Sequence, residues 1–192
     1  MPFLTASDRD FQTAMRLANL TCLAYQEEDR IAKQLTQLGF TQLALFDEHF
    51  GFVADAGEEI FIVFTGTSDL ADWMTNVDAT LWPGYGGGVH RGFATLADQV
   101  WPTVLTLMRD SNKKGRRVWT TGHSRGGALA TLTAKRLQSA GIPVGVCTFG
   151  SPRVGDSDFV QNFRPRVHYR VENFRDPVPF LPLRGYHSTG TR

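Results

Sequence analysis

The stretch VWTTGHSRGGALATLTAKRLQSAGIPVGVCTF, residues 118–149, decides the fold. Residues 118–121 read as a strand, and residues 125–139 as a helix that Gly141 closes. Residues 144–149 then read as a second strand. Such a β-α-β unit makes parallel strands joined by a right-handed crossover. At its first joint, Gly122-His123-Ser124-Arg125-Gly126-Gly127 carries a G-x-S-x-G pattern between strand and helix, which is where a nucleophile elbow stands. Ser124 must there occupy a strained turn that projects its hydroxyl, and glycines at 122 and 126 let helix and strand come close. The N–H groups of the helix behind it point at any negative charge that develops.

Outward from this unit the pattern stays α/β. A first helix is predicted from Ser7, whose hydroxyl can cap it, with Phe11, Ala14, Met15, Ala18, Cys22 and Tyr25 as a core-facing stripe. Ile31, Leu35 and Leu38 continue a shorter helix that Gly39 ends in a left-handed cap. Residues 42–46 and 50–54 flank Asp47, Glu48 and His49 as a hairpin, and residues 60–64 form an apolar strand of the kind found mid-sheet. Residues 93–108 follow helical spacing with Pro102 inside, which predicts two pieces or a bend. A further strand, 167–171, leads into a Pro-rich tail. No repeat or low-complexity linker interrupts the chain, so residues 1–192 are expected to form one domain: a mostly parallel central sheet flanked by helices.

A serine hydroxyl is a poor nucleophile until a base takes its proton, so a histidine is required, with a carboxylate to orient it. In folds that use this elbow, the acid and then the histidine follow the serine along the chain. Two histidines lie downstream, His168 and His187. His168 opens an apolar strand and reads as structural, whereas His187 follows a loop carboxylate, Asp176, which Pro177 keeps out of a helix. Among rival acids, Asp156 and Asp158 read as a helix start after Gly155, and Glu172 as a strand end. An oxyanion needs two backbone N–H donors. Arg125, after the nucleophile, is one; Thr67, on the Gly66-Thr67 turn after the 60–64 strand, is the other, although those two residues also read simply as a turn. Beyond that turn, Leu70, Trp73 and Met74 share one face of a short helix, and 82–88, from Trp82 through several glycines, is flexible chain. Apolar residues on a short helix more often mean plain packing, and it is the adjoining oxyanion loop that makes the arrangement resemble a lid on glycine hinges.

Composition narrows the classes without naming one. With 42% apolar and 20% charged residues the chain reads as an ordinary globular protein, able to bury a core without a metal or disulfide staple. The formal net charge is +1, and the densest basic cluster, Lys113, Lys114, Arg116 and Arg117, reads as solvated loop rather than a nucleic-acid footprint. Cys22 and Cys147 sit in apolar segments and read as two core thiols. The given chain shows neither a signal peptide nor an apolar stretch long enough to span a bilayer, leaving it cytoplasmic or exported by a route not visible in it. No metal or organic cofactor is required by the chemistry above, and oligomeric state is not legible.

Several stretches together resemble the fungal-type, class 3 lipases, in a compact bacterial-like form. They are VFTGTSDLADW (63–73), VHRGF (89–93), GHSRGGALA (122–130), TFGSPRVGD (148–156), RDPVPFLP (175–182) and GYHSTG (185–190), with LANLTCLAY (17–25) also similar. The resemblance implies an α/β-hydrolase fold and hydrolysis of acylglycerol or related esters at transient contact with a lipid interface. It implies a triad of Ser124, Asp176 and His187, an oxyanion hole from Thr67 and Arg125, and a lid after Thr67. The same residues suit a short-chain esterase, phospholipase, thioesterase or acyltransferase; an inactive hydrolase-like module that binds lipid or protein is a further class. Most relatives carry leucine where this chain has Arg125 and arginine where it has Thr65. That departure suggests a positive charge moved between neighbouring loops, close enough to the acyl pocket to alter substrate preference. The chain given ends five residues after His187, where longer relatives continue, which suggests a more open site.

Overall fold

Strand β3, Glu59–Phe64, explains the layering. All five residues after Glu59 are apolar, and a strand sends alternate side chains to opposite faces, so β3 must be covered on both sides. Ile60, Ile62 and Phe64 enter one buried cluster, while Phe61 and Val63 enter another across the sheet. In the computed structural model, which describes residues 6–46, 50–67, 80–111 and 115–190, helices supply both covers. Helices α1 (Ala6–Leu23) and α2 (Glu28–Gln37) bring Leu17, Leu20, Ile31 and Leu35 to the face with Phe61. Helices α3 (Arg91–Ser111) and α4 (Arg125–Ser139) bring Phe93, Val104, Leu129 and Leu132 to the other.

The remaining strands of the main sheet are β1 (Thr41–Phe46), β2 (Gly51–Asp55), β6 (Arg117–His123), β7 (Val144–Phe149) and β8 (Val167–Val171). Their spatial order is β1-β2-β3-β6-β7-β8. The first three pair antiparallel as a meander, and β3, β6, β7 and β8 run parallel. The predicted hairpin, mid-sheet strand and β-α-β unit are thus all present, with Asp47, Glu48 and His49 outside the described residues. A ligand in such a sheet meets the loops at the carboxyl ends of the parallel strands. A separate two-stranded sheet, β4 (Leu81–Pro83) with β5 (Gly88–His90), occupies a segment that sequence alone presents as flexible chain. Tyr85 between its strands donates to Asp98 on α3 and accepts from Arg136 Nε on α4, which moors it to both helices.

Three expectations are corrected. The core face of α1 is Leu17, Leu20, Thr21 and Leu23, with Ala24 buried just beyond it, whereas Phe11, Met15, Cys22 and Tyr25 are exposed. The buried face includes a polar residue because the Thr21 hydroxyl meets that of Thr121 at 3.0 Å. Cys22 is therefore a surface thiol; Cys147 is buried, and burial pushes its pKa up to about 12. Finally, of the two outcomes expected at Pro102, the division into two pieces does not occur: α3 is one helix, Arg91–Ser111. Pro102 and Asp98, whose carbonyl the missing N–H would have met, both lie on the exposed side, where water can serve that carbonyl. Of the basic cluster, Arg116 pairs with Asp55 at 2.6 Å and Arg117 with Glu59 at 3.2 Å, while Lys113 and Lys114 lie outside the described residues.

Helix α4 lies against the sheet through glycines. A Cβ placed on Gly122 would stand 2.4 Å from the Gly126 carbonyl, and one on Gly126 would stand 2.5 Å from the Phe64 carbonyl. Both obstacles are backbone, so neither can swing aside. Gly126→Ala should lower unfolding free energy by about 3 kcal/mol, the upper range for overpacking, read from urea midpoints. A loss below about 0.5 kcal/mol, the size of an ordinary surface substitution, would mean that the helix shifts freely.

Candidate active site

Ser124 joins β6 to α4 with φ 57° and ψ −125°, and is the sole non-glycine residue with positive φ among those described. A left-handed turn at an L-residue is strained and persists only when its surroundings enforce it. Here Ser124 N–H donates to the Phe149 carbonyl at 2.9 Å, and the Ser124 carbonyl accepts from Gly127 N–H at 2.9 Å. The residue is 3% exposed, and its Oγ has no hydrogen-bond partner among the described residues. The first N–H groups of α4 have no acceptor within their own helix and face the same end.

The loop that leaves β3 passes directly over this turn. A Cβ on Gly66 would lie 3.3 Å from Ser124 Cβ and 2.8 Å from the His123 carbonyl. Three bonds hold the loop down. Thr65 N–H donates to the Phe50 carbonyl at 2.9 Å, Gly66 N–H donates to the Tyr25 hydroxyl at 3.0 Å, and Arg125 Nη2 donates to the Gly66 carbonyl at 3.1 Å. The Arg125 guanidinium also lies 5.2 Å from the centre of the Phe50 ring. Its side chain thus turns back onto the loop rather than extending as a free cation. Tyr25 Oη lies 2.8 Å from His123 Nδ1, and burial raises its pKa, so the hydroxyl keeps its proton at neutral pH. Sequence reading gave Tyr25 no role in the site.

Asp176 comes from the loop after β8. Its N–H donates to the Asn173 carbonyl, and its Oδ1 accepts from Val178 N–H, both at 2.9 Å. Its Oδ2 reaches Gly150, at the end of β7, where an added Cβ would stand 2.8 Å away; the His123 ring approaches the same point at 3.5 Å. The carboxylate therefore stands beside the elbow. His187 is fixed by its backbone: its N–H donates to the Gly155 carbonyl at 2.8 Å, and Gly155 bridges to Val89 on its other side. Gly155 fits between the two because a Cβ would meet the Gly88 carbonyl at 2.8 Å. The imidazole of His187 is exposed, and the bond from Ser124 Oγ to it is not made. That anchoring role of Gly155 was not legible, although its stretch was.

Two of the rival acids, Asp156 and Glu172, are occupied elsewhere. Asp156 caps the short helix α5 (Ser157–Asn162), accepting from Phe159 N–H and Gly88 N–H at 2.8 Å each. Glu172 pairs with Arg170. Of the predicted substrate-contacting residues, Leu70, Trp73 and Met74 lie outside the described residues. Trp82 is exposed on β4, with the Arg91 guanidinium 5.3 Å from its ring.

A mostly parallel sheet with helices on both faces, and a strained serine at a strand-helix turn, define the α/β-hydrolase fold. Solved structures share it: a lipase from Rhizopus microsporus var. chinensis matches with TM-score 0.77 at 23% identity, over 97% of this chain and 74% of that one. Lipase II from Rhizopus niveus matches with TM-score 0.78 at 22% identity, over 96% and 80%. In sequence, the family lipase (class 3) matches residues 61–186. Secreted mono- and diacylglycerol lipase 1 of Fusarium solani is 36% identical over 146 residues, 70% of this chain and 43% of that protein. Phospholipase A1-II 1 of Oryza sativa subsp. indica is 33% identical over 181 residues, 73% and 46%. This chain belongs to the class 3 lipase family, and it spans less than half the length of these two curated relatives.

His168, the other downstream histidine, is buried beneath Phe163, whose ring meets it edge-on at 5.6 Å. Burial, helped by the Arg170 charge, pushes its pKa down to about 3. Since the folded pKa lies below the ordinary 6.5, the unfolded chain takes up a proton first as pH falls, so stability drops below about pH 6.5. This residue should cost about 2 kcal/mol between pH 7 and pH 5. Urea midpoints at the two pH values should converge in His168→Leu; an unchanged pH slope would refute the assignment.

Proposed function

We propose that the chain is a carboxylic ester hydrolase of lipase type, acting on acylglycerol-like esters through Ser124, His187 and Asp176. The observation that carries the reading is the strained turn at Ser124. It presents a buried hydroxyl at a helix N-terminus, with the Gly66 loop against it and the Asp176 carboxylate near Gly150 and the ring of His123. The printed names of the relatives, a mono- and diacylglycerol lipase and a phospholipase A1, support an ester of a lipid acid as substrate.

In this mechanism Ser124 Oγ attacks the ester carbonyl carbon as the His187 imidazole takes its proton. The oxygen of the tetrahedral intermediate accepts from the N–H groups of Thr67 and Arg125. His187 gives the proton to the leaving alcohol as the carbon-oxygen bond breaks, which leaves Ser124 acylated. Water then attacks the acyl carbon, passes a proton to His187, and the carboxylic acid departs as Ser124 recovers its hydrogen. Asp176 orients the imidazole and stabilises its charged form. His187 is exposed on a backbone pinned at Gly155, and catalytic hydrogen bonds often tighten only with substrate bound. These groups are all the protein's own, so the scheme draws on no cofactor. Leu70, Trp73 and Met74, outside the described residues, are proposed to contact substrate, and Trp82 with its exposed neighbour Leu81 offers apolar contact to substrate or a lipid surface.

A fluorophosphonate should label the wild-type protein and not Ser124→Ala. His187→Ala and Asp176→Asn should each reduce kcat by about 10⁴, as removal of a triad member does elsewhere. A panel of p-nitrophenyl esters, emulsified triglyceride and phosphatidylcholine ranks the substrates. Activity confined to acetate and butyrate would reject a lipase, turnover of phosphatidylcholine alone would favour the phospholipase reading, and a folded but unlabelled wild type would mean a binding module.

A further inference from the structure

Arg125 enters the mechanism through its backbone, yet its side chain has a separate target. Arg125 Nη2 donates to the Gly66 carbonyl at 3.1 Å. That carbonyl and the N–H of Thr67 are the two ends of a single planar trans peptide, so they point in opposite directions from one rigid unit. Whatever fixes the oxygen fixes the hydrogen. The preceding peptides are already held, Thr65 N–H by the Phe50 carbonyl and Gly66 N–H by the Tyr25 hydroxyl. The peptide between Gly66 and Thr67 is the next unit along, and Arg125 holds its oxygen. Phe50, buried beneath the guanidinium with its ring centre 5.2 Å away, restrains the cation as well as the loop.

A charged donor also does more than a neutral one. Its bond to the carbonyl is stronger, and hydrogen bonds in series polarise one another, so an amide whose oxygen is bound to a cation gives its proton more readily. The direction of that effect favours the state in which negative charge has formed on the substrate oxygen, because the ground-state carbonyl is the weaker acceptor.

We propose that the Arg125 side chain is a positioning residue for the oxyanion hole, aiming and polarising the Thr67 N–H through the peptide they share. One residue then governs both donors, its own N–H directly and that of Thr67 through the guanidinium. The inference rests on the reading of Thr67 as an oxyanion donor.

Arg125→Met keeps the apolar stem over Phe50 and removes the donor, while Arg125→Lys keeps a cation on a shorter reach. With a p-nitrophenyl ester, Arg125→Met should lose about tenfold in kcat, less than the 10²–10³ for deleting an oxyanion donor outright, with KM within about twofold. A trifluoromethyl ketone, which forms a tetrahedral oxyanion on the serine, should lose affinity by the same factor as kcat. Lys should restore part of both. Equal kcat in wild type and Arg125→Met would overturn the proposal, as would a rise in KM alone, which marks a substrate contact. If Arg125→Met fails to fold by circular dichroism, the Lys variant decides: a partial loss of the ketone's affinity, matched in kcat with unchanged KM, supports the proposal, and wild-type behaviour in both refutes it. Should the wild type itself ignore fluorophosphonate and ketone, the ester-hydrolase reading fails first; if they react and Arg125→Met is unaffected, only the inference about its side chain falls.

Discussion

Everything near the candidate site depends on how closely α4 can approach the carboxyl ends of β3 and β6. The positive-φ turn at Ser124 costs about 1–3 kcal/mol for an L-residue, and the chain accepts it because the next helix can lie almost on the strands. Gly122 and Gly126 make that contact backbone to backbone, with no room for a methyl group on either. Parallel pairing on both sides of β6 then keeps the strand from twisting away to relieve the strain. A helix held even slightly further out would carry its N-terminal N–H groups off the serine, and the Gly66 loop would lose the surface on which it rests.

Around this fixed turn the other groups are held with graded firmness. Ser124 sits between regular elements, the loop over it is pinned by three successive hydrogen bonds from three different parts of the chain, and Asp176 is set by local turns. His187 is held least: its backbone joins a narrow ladder with Gly155 and Val89, while its ring stays exposed. The gradation suits the proposed chemistry. An oxyanion site works by being in position before charge forms, whereas a proton carrier must face an incoming hydroxyl and then a leaving alcohol or water.

Features that act over short sequence distances were legible. The β-α-β unit, the elbow, the cap at Gly39 and the Asp156 helix start all depend on neighbours within a few residues, and all are present. Features settled by distant partners were not. The apolar residues of α1 admit two overlapping faces, and the one that is buried contains Thr21, whose hydroxyl finds Thr121 a hundred residues away. Tyr25 was read as core because it is aromatic and in phase, yet it is half exposed and spends its hydroxyl on Gly66 and His123. Pro102 lies where solvent replaces the lost bond, which no local rule reveals. The direction of the Arg125 side chain likewise follows from Phe50 and Gly66, neither of them near it in the sequence.

The choice between His168 and His187 joins the two kinds of information. Chain order and the nearby Asp176 favoured His187 without reference to environment. Environment gives an independent reason, because a base must accept a proton near the working pH to be useful. Beneath Phe163, beside the Arg170 cation and away from water, protonated His168 is so disfavoured that its pKa falls to about 3. Such a ring would hold a serine's proton only at great cost, however well it were aimed. The burial that makes β8 a sound strand of the sheet therefore also disqualifies its histidine as a catalyst. His187 stands on the exposed segment beyond the sheet, and it is from there that proton transfer at the elbow is proposed.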